Sequence, residues 1–157
     1  MTREELFMQE AITLAKNGVS GGEGGPFGCI IVKEDKIIGR GNNKVLLSLD
    51  PTAHAEVIAI RDACQQLQSF QLLDCEIYTS CEPCPMCMGA IYWARPKAIY
   101  YACNREDALQ IGFDDSFIYD EIIKPIHQRH IPMSVTGRAE SLLIFEAWKN
   151  KEDKTLY

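Results

Sequence analysis

Two short segments of the chain carry side chains suited to metal chemistry. The first is His54-Ala55-Glu56, and the second is Pro83-Cys84-Pro85-Met86-Cys87, with 28 positions from Glu56 to Cys84. A proline favours the first helical position, so Cys84 is predicted to be the N-cap of a helix. Residues i and i+3 share a helix face, which allows the sulfurs of Cys84 and Cys87 to converge on one ion. The helix N-terminus also favours the thiolate form that binds metal.

Two thiolates and one imidazole make three protein ligands, which is typical of a catalytic zinc site with an open fourth position. We therefore expect one zinc ion per subunit, held by His54, Cys84 and Cys87. Glu56 lies two residues from His54, too far around a helix to join the same coordination sphere. A carboxylate at the open position of such a site is placed for proton transfer.

Other uses of these residues remain open at this point. Cys81 could complete a closed structural zinc site as a fourth ligand, because four ligands are the norm for such sites. An iron–sulfur run would need another cysteine at position 91, which is Ile91. Cysteines in apolar sequence surroundings are expected in the core; they are Cys29, Cys64, Cys75 and Cys103. His127 and His130 lack a neighbouring metal motif and are expected on the surface or in a loop.

Strands alternate with helices along the chain, which predicts a layered α/β domain. The predicted elements are a helix from Thr2 to Gly18, a hairpin of Cys29–Lys33 and Lys36–Arg40, a helix capped at Asp50-Pro51 and reaching Leu67, a strand Glu76–Ser80, a helix Pro85–Ala94, a strand Lys97–Ala102, a helical stretch 105–124 broken near Gly112, a weak strand Met133–Val135 and a helix over 138–150. The glycine-rich stretch Gly21–Gly28 fits no phosphate-loop template and is expected to be a flexible loop.

Composition narrows the function classes. The chain has 157 residues, with 16 basic and 22 acidic side chains and a net charge of −6. This length predicts a single domain over 1–157, and the acidic balance opposes a nucleic-acid partner, which needs a basic surface. No apolar run approaches the roughly 20 residues that span a bilayer. A charged start and an odd number of cysteines without a secretory leader predict a cytoplasmic protein.

His-x-Glu followed by Pro-Cys-x-x-Cys is the pattern of the zinc-dependent nucleobase deaminases. The chain carries it at His54-Ala55-Glu56 and Pro83–Cys87, and is similar to members of the cytidine-deaminase-like superfamily. That resemblance implies a three-layer α/β/α sandwich with a central mixed sheet, in agreement with the alternation of elements.

Within the superfamily the chain resembles the small bacterial guanine deaminases. The segments that carry this resemblance are Gly24–Gly28, Asn42-Asn43, Asp50–Glu56, Tyr78–Cys87, Ile91–Lys97, Gly112–Phe117 and the closing Tyr157. The strings around the metal motif are shared with other relatives. The string Phe113-Asp114-Asp115-Ser116-Phe117 and the terminal tyrosine discriminate this family.

The resemblance implies hydrolysis of guanine at C2, which gives xanthine and ammonia. His54, Cys84 and Cys87 would hold zinc, Glu56 would move the proton, and Asp115 would be a second catalytic carboxylate. The purine would be contacted by a set of pocket residues, namely Phe27, Asn43, Ala55, Trp93, Asp115 and Tyr157. Phe27 would stack on the base, Asn43 would hydrogen-bond to it, and Tyr157 would close the pocket.

The resemblance also implies a homodimer in which the C-terminal helix and tail, residues 138–157, are exchanged between subunits. Guanosine, cytosine or triazines are alternative substrates within the same fold, as is the wobble adenosine of tRNA. Outside enzymes, the motif could belong to a zinc-stabilised structural module. That hypothesis leaves Glu56 without a purpose, whereas a deaminase requires it.

Overall fold

The computed structural model describes all 157 residues. The helices are α1 (Arg3–Ser20), α2 (Val45–Ser48), α3 (Ala55–Leu67), α4 (Pro85–Ala94), α5 (Arg105–Gln110), α6 (Ser116–Ile123) and α7 (Arg138–Asn150), with a 3₁₀ turn at Ile126–Gln128. The strands are β1 (Gly28–Lys33), β2 (Lys36–Asn42), β3 (Glu76–Cys81) and β4 (Ala98–Cys103). The chain forms two compact units, Met1–Asp115 and Ser116–Tyr157.

The first unit is built on a mixed sheet of strand order β2-β1-β3-β4. Strand β1 runs antiparallel to β2 and to β3, with Ile31 opposite Ile77 in the β1–β3 pair. Strands β3 and β4 are parallel, because α4 forms the crossover between them. The sequence pattern predicted these four strands, and the mixed sheet confirms the expected sheet type.

Helices cover both faces of this sheet. Side chains alternate across a strand, so Cys29 and Ile31 face one way while Ile30 and Val32 face the other. On the first face the core also contains residues of α3 and α4, namely Ala55, Ala59, Ala63, Ile91 and Ala94. On the second face α1 packs through Ala11 against Ile30, Val32 and Tyr78. The first unit is therefore the expected three-layer α/β/α sandwich.

Helix α3 lies directly against β2. A Cβ atom at Gly41 would fall 2.2 Å from the carbonyl oxygen of Ala55 and 2.7 Å from the amide nitrogen of Ala59. Only glycine allows this approach of backbone to backbone. The contact fixes the first turn of α3, which carries Glu56, relative to the end of β2.

The start of α1 is hydrogen-bonded to the first residues of β3. Thr2 caps the helix, and its hydroxyl oxygen accepts a hydrogen bond from the Glu5 amide. The guanidinium of Arg3 donates to Glu76 Oε2 at 2.7 Å and to the Tyr78 hydroxyl at 3.0 Å. Burial raises the pKa of the Glu76 carboxyl, but hydrogen bonds from Arg3 and Lys97 outweigh burial and leave that pKa below its ordinary value.

Three local predictions were wrong. The second long helix does not begin at Asp50-Pro51, because Asp50 Oδ1 instead accepts hydrogen bonds from the amide and hydroxyl of Thr52 in a local turn. His54 is the N-cap instead. Met133–Val135 forms no strand, since three residues without a neighbouring strand gain no ladder. Cys103 is exposed at the end of the edge strand β4.

The second unit, Ser116–Tyr157, contains α6, the 3₁₀ turn and α7. None of its residues is buried within the chain. Most of its large apolar side chains are exposed; in α7 these are Leu142, Leu143, Ile144, Phe145 and Trp148. His127 and His130 are also exposed, as expected. None of the helices in the structure combines the length and apolar character of a membrane span.

Candidate active site

The N-termini of α3 and α4 bring three predicted metal ligands together. His54 is the N-cap of α3 and Cys84 the N-cap of α4, while Cys87 lies one turn into α4. The sulfurs of Cys84 and Cys87 are each 3.5 Å from His54 Nδ1. The three ligand atoms all lie within 4.8 Å of one another. This cluster sits at the end of the sheet where β3 leads into α4.

The cluster fits a zinc ion. Tetrahedral zinc with ordinary Zn–S and Zn–N bond lengths separates a sulfur from a nitrogen ligand by about 3.5 Å, which is the separation in the structure. Thiolate and imidazole ligands also favour zinc over harder cations. Three ligands leave a fourth position for a reactant, as in catalytic sites.

Cys84 and Cys87 are joined by a hydrogen bond. A hydrogen bond from Cys87, opposed by burial and reinforced by His54, lowers the pKa of Cys84 to about 4. The Cys87 thiol, as the donor, has its pKa raised by that same bond. The hydrogen bond to Cys84 raises the pKa of His54 in turn. These contacts favour the thiolate form of Cys84, which is the form that binds metal.

Cys81 does not join this cluster. Its sulfur lies 3.6 Å from the Asn104 carbonyl oxygen, to which the thiol donates, and burial raises the pKa of Cys81 to about 11. Cys81 is not among the three residues whose ligand atoms lie within 4.8 Å of one another. The closed structural zinc site considered from the sequence is therefore not what the structure forms.

Glu56 lies beside the ligands, only 6% exposed. Its Oε2 is 3.3 Å from the Cys87 sulfur, and its Oε1 accepts a hydrogen bond from the Thr79 hydroxyl at 3.3 Å. Burial raises the pKa of the Glu56 carboxyl. The carboxylate is thus anchored at one oxygen and directed toward the metal cluster with the other.

Two predicted pocket residues lie next to each other at the start of β1 and the end of β2. The Asn43 amide donates to the Phe27 carbonyl at 2.9 Å, and the Lys44 amide donates to the Ala53 carbonyl at 2.9 Å. Ala53 directly precedes His54, so the second bond brings this segment to the metal cluster. The ring of Phe27 meets Phe113 edge to face, with centroids 4.9 Å apart.

Asp115 is electrostatically coupled to the cluster. Burial and the negative charge of Cys84 raise the pKa of the Asp115 carboxyl, while the Arg105 guanidinium opposes them. Ala55 is fully buried at the first position of α3, next to His54. Ala55 therefore lies beside a predicted metal ligand, and the pKa of Asp115 responds to the charge of another, Cys84.

Trp93 and Tyr157 are predicted pocket residues whose side chains are exposed. Trp93 lies six positions beyond Cys87, about 9 Å along the helix axis, and is 64% exposed. Tyr157 is the last residue and is 69% exposed.

Sequence patterns missed two residues with a place in this site. Thr79 lies in a fully buried strand, where nothing in the sequence marks one threonine as the partner of a carboxylate. Gly24 packs against Asn43, and a Cβ atom there would lie 2.1 Å from Asn43 Oδ1. The flexible-loop prediction for Gly21–Gly28 did not anticipate this close contact.

Comparison with known proteins gives consistent results. Residues 1–103 match the model of the cytidine and deoxycytidylate deaminase zinc-binding region. The chain is 58% identical over 153 residues to a guanine deaminase of Bacillus subtilis, covering 98% of each chain. The X-ray structure of guanine deaminase from Bacillus subtilis superposes with a TM-score of 0.94 at 57% identity, again over 98% of each chain.

More distant relatives align over a shorter part of the chain. A tRNA-specific adenosine deaminase of Aquifex aeolicus is 42% identical over 104 residues, covering 66% of this chain and 68% of its own. A structure of guanine deaminase from Nitrosomonas europaea gives a TM-score of 0.66 at 31% identity, over 69% of this chain and 63% of that one. The shared part contains the metal cluster and Glu56.

Proposed function

The chain belongs to the cytidine and deoxycytidylate deaminase zinc-binding family, and from that premise we propose that it hydrolyses guanine to xanthine and ammonia. The observation that carries the choice of substrate is the likeness to Bacillus subtilis guanine deaminase over 98% of both chains. Similarity to the Aquifex aeolicus tRNA deaminase covers 66% of the chain. The net charge of −6 also disfavours an RNA substrate.

His54, Cys84 and Cys87 hold the zinc ion in this proposal. Bound there, the ion supplies Lewis acidity that activates water at neutral pH. The oxygen of the attacking water bonds to C2 while Glu56 Oε2 takes a proton from that water. Glu56 then transfers the proton to the ring nitrogen N3. The amino nitrogen then takes up a second proton and the bond between C2 and that nitrogen breaks, which releases ammonia. The C2 hydroxyl gives up its proton as the carbonyl of xanthine forms, so both protons of the water end in the products, one on N3 and one on ammonia. Thr79 holds the carboxylate in place through Oε1.

Asp115 is the candidate for protonating the leaving amine. Burial raises the pKa of its carboxyl, which favours the protonated form that such a step needs. Phe27 stacks on the purine, supported by the edge of Phe113. Asn43 hydrogen-bonds to the purine edge, and Ala55 lies beside the metal ligand His54. The backbone hydrogen bonds that join Asn43 to Phe27 and Lys44 to Ala53 support these assignments, because Ala53 directly precedes His54.

The enzyme acts as a homodimer that exchanges residues 138–157 between subunits. Support comes from the second unit, in which the apolar side chains of α7 are exposed within the single chain, including Phe145 at 68%. Such a contiguous apolar helix is typical of an interface. Trp93 and Tyr157 are exposed in the single chain and would complete the pocket of the neighbouring subunit.

Free thiols support a cytoplasmic location, where cysteines stay reduced.

The substrate is tested by measuring ammonia release from zinc-loaded protein with guanine, guanosine, adenine, cytosine and a tRNA anticodon stem-loop in parallel. The proposal predicts turnover of guanine far above that of the other four. Turnover of a different substrate would retain the metal site and Glu56 but refute the pocket assignments. No ammonia release from any of the five, with zinc bound, would favour a structural zinc module.

A further inference from the structure

The side-chain amide of Asn43 has a fixed orientation. Its Oδ1 accepts hydrogen bonds from the backbone amides of Gly25 at 3.3 Å and Val45 at 3.1 Å. Two N–H donors identify that atom as the carbonyl oxygen, because the amide nitrogen cannot accept them. The residue is only 4% exposed. Its Nδ2 group, a donor of two hydrogens, is therefore the part of the amide left for a ligand.

Gly24 is the residue that permits this orientation. A Cβ atom at position 24 would lie 2.1 Å from Asn43 Oδ1 and 2.7 Å from the Asn43 backbone oxygen. Both distances are far inside van der Waals contact, so any side chain at 24 must displace Asn43. The backbone of Gly24 does not lie in the left-handed region, so alanine is disfavoured there by this contact and not by its dihedral preference.

The surrounding loop has little room to relax. The carbonyl oxygen of Glu23 accepts hydrogen bonds from the amides of Leu46 and Leu47, at 3.2 and 3.0 Å. The Glu23 carboxylate accepts a further bond from Asn42 Nδ2 at 2.7 Å. The residues on both sides of Gly24 are thus fastened to the segment that follows β2. A side chain at 24 would push against Asn43 without moving the loop away.

We propose that Gly24 is a positioning residue for the substrate: it allows Asn43 Oδ1 to rest on two backbone amides, so that Nδ2 presents hydrogen-bond donors to the purine. This inference rests on the proposed function. It also specifies the polarity of the recognised edge, which must be an acceptor. Guanine offers acceptors at O6, N7 and N3, whereas N1, its amino group and N9 are donors.

The first test replaces Gly24 by alanine. Gly24→Ala raises the KM for guanine at least about tenfold, as expected for a lost hydrogen bond in a desolvated site, with a smaller change in kcat. The equilibrium dissociation constant for xanthine, measured by calorimetry, rises by a similar factor. Gly21→Ala is the matched control from the same loop, because its Cβ would meet no atom closer than 3.3 Å. An unchanged KM in Gly24→Ala would overturn the inference.

A double-mutant cycle separates positioning from a general loop defect. If Gly24 acts through Asn43, Gly24→Ala costs much less in kcat/KM when introduced into Asn43→Ala than into the wild type. An equal cost in both backgrounds would show that Gly24 acts through another route. Zinc content and Tm are measured for each variant, so that loss of fold is recognised.

A second variant keeps the inference testable if Gly24→Ala does not fold. Asn43→Asp retains an oxygen for the Gly25 and Val45 amides but replaces the donor group by an acceptor. We expect it to keep its Tm and zinc while kcat/KM for guanine falls at least about a hundredfold. Retained activity would refute the assigned polarity. A wild-type enzyme that does not act on guanine refutes the proposed function, whereas active enzyme with insensitive variants refutes only the role of Gly24.

Discussion

The sulfur of Cys87 lies 3.3 Å from Oε2 of Glu56, so a metal ligand and the proposed proton carrier meet at one oxygen of the carboxylate. The other oxygen, Oε1, is held by the hydroxyl of Thr79. The two oxygens therefore have different tasks. One fixes the orientation of the side chain, and the other faces the place where water and the purine must meet.

Glu56→Gln tests proton transfer without removing a metal ligand. The amide keeps the size of the side chain but cannot take up the proton. We expect zinc content to be unchanged and kcat to fall at least about a hundredfold, the lower range for losing a general acid–base group. Metal analysis and ammonia release measure the two quantities on the same sample. Turnover close to that of the wild type would remove Glu56 from the mechanism.

His54→Ala tests the composition of the metal site. With one of three ligands gone, the protein should lose both zinc and activity. Cys81→Ser is the matched control, since Cys81 donates to the Asn104 carbonyl and lies outside the cluster. We expect this control to bind one zinc ion per chain. Full zinc occupancy in His54→Ala would instead point to Cys81 as a hidden ligand.

Thr79→Val tests the anchoring of the carboxylate. Removing the hydroxyl leaves Glu56 Oε1 without its donor and lowers kcat by about tenfold, the lower end for a hydrogen bond to a charged group. Thr79→Ser retains the hydroxyl and should retain most of the activity. Zinc binding should be normal in both variants. Equal activity of the valine and serine variants would contradict an anchoring role.

The exchange of the C-terminal segment can be tested by mixing two impaired variants. Tyr157→Ala removes the pocket closure and Glu56→Gln removes proton transfer, so each homodimer has two defective sites. If Tyr157 acts in the neighbouring subunit, subunit exchange creates dimers with one intact site, and activity returns to about a quarter of the wild-type value. Mixing that restores nothing would place Tyr157 in the site of its own chain or outside any site.

Acid stability should depend on Glu76. Hydrogen bonds from Arg3 and Lys97 outweigh burial, so the folded-state pKa of this carboxyl lies below its unfolded value. A depressed pKa contributes stability above the unfolded value of about 4.3, and that stability is lost as pH falls through the folded pKa. Glu76→Gln should therefore lower the free energy of unfolding at pH 7 and flatten its decline in acid.

Denaturant unfolding at a series of pH values measures this effect. Glu10→Gln is the matched control, because it is the same substitution at an exposed position of α1. We expect the Glu76 variant to approach the wild type in strong acid, where neither protein carries the charge. A constant difference at all pH values would mean that Glu76 contributes through packing instead.

The metal cluster was predictable from sequence because its ligands sit at helix starts with fixed spacing. Pro85 marks the first turn of α4, and that turn determines how Cys84 and Cys87 face each other. The strands were predictable as well, since Cys29–Lys33 and Glu76–Ser80 are short segments rich in β-branched and aromatic residues. The metal ligands and the strands were predictable because both depend on the spacing of residues that are close together in the sequence.

Contacts between distant segments were not predictable in this way. Thr79 and Glu56 lie 23 positions apart and meet only because α3 packs across the sheet. Gly24 and Asn43 meet because a loop folds back on the end of β2. Asp50 is a residue type that often caps helices, but here its carboxylate accepts a hydrogen bond from the Thr52 amide in a local turn. The N-cap of α3 is His54 instead.

Guanine hydrolysis in water enriched in ¹⁸O tests the central claim most directly. Zinc-loaded protein should convert guanine to xanthine that carries one ¹⁸O atom at C2, with one ammonia released per xanthine, and Glu56→Gln should slow this reaction at least about a hundredfold. Mass spectrometry of the product measures the label. Zinc-loaded wild-type protein that leaves guanine unchanged would contradict the account.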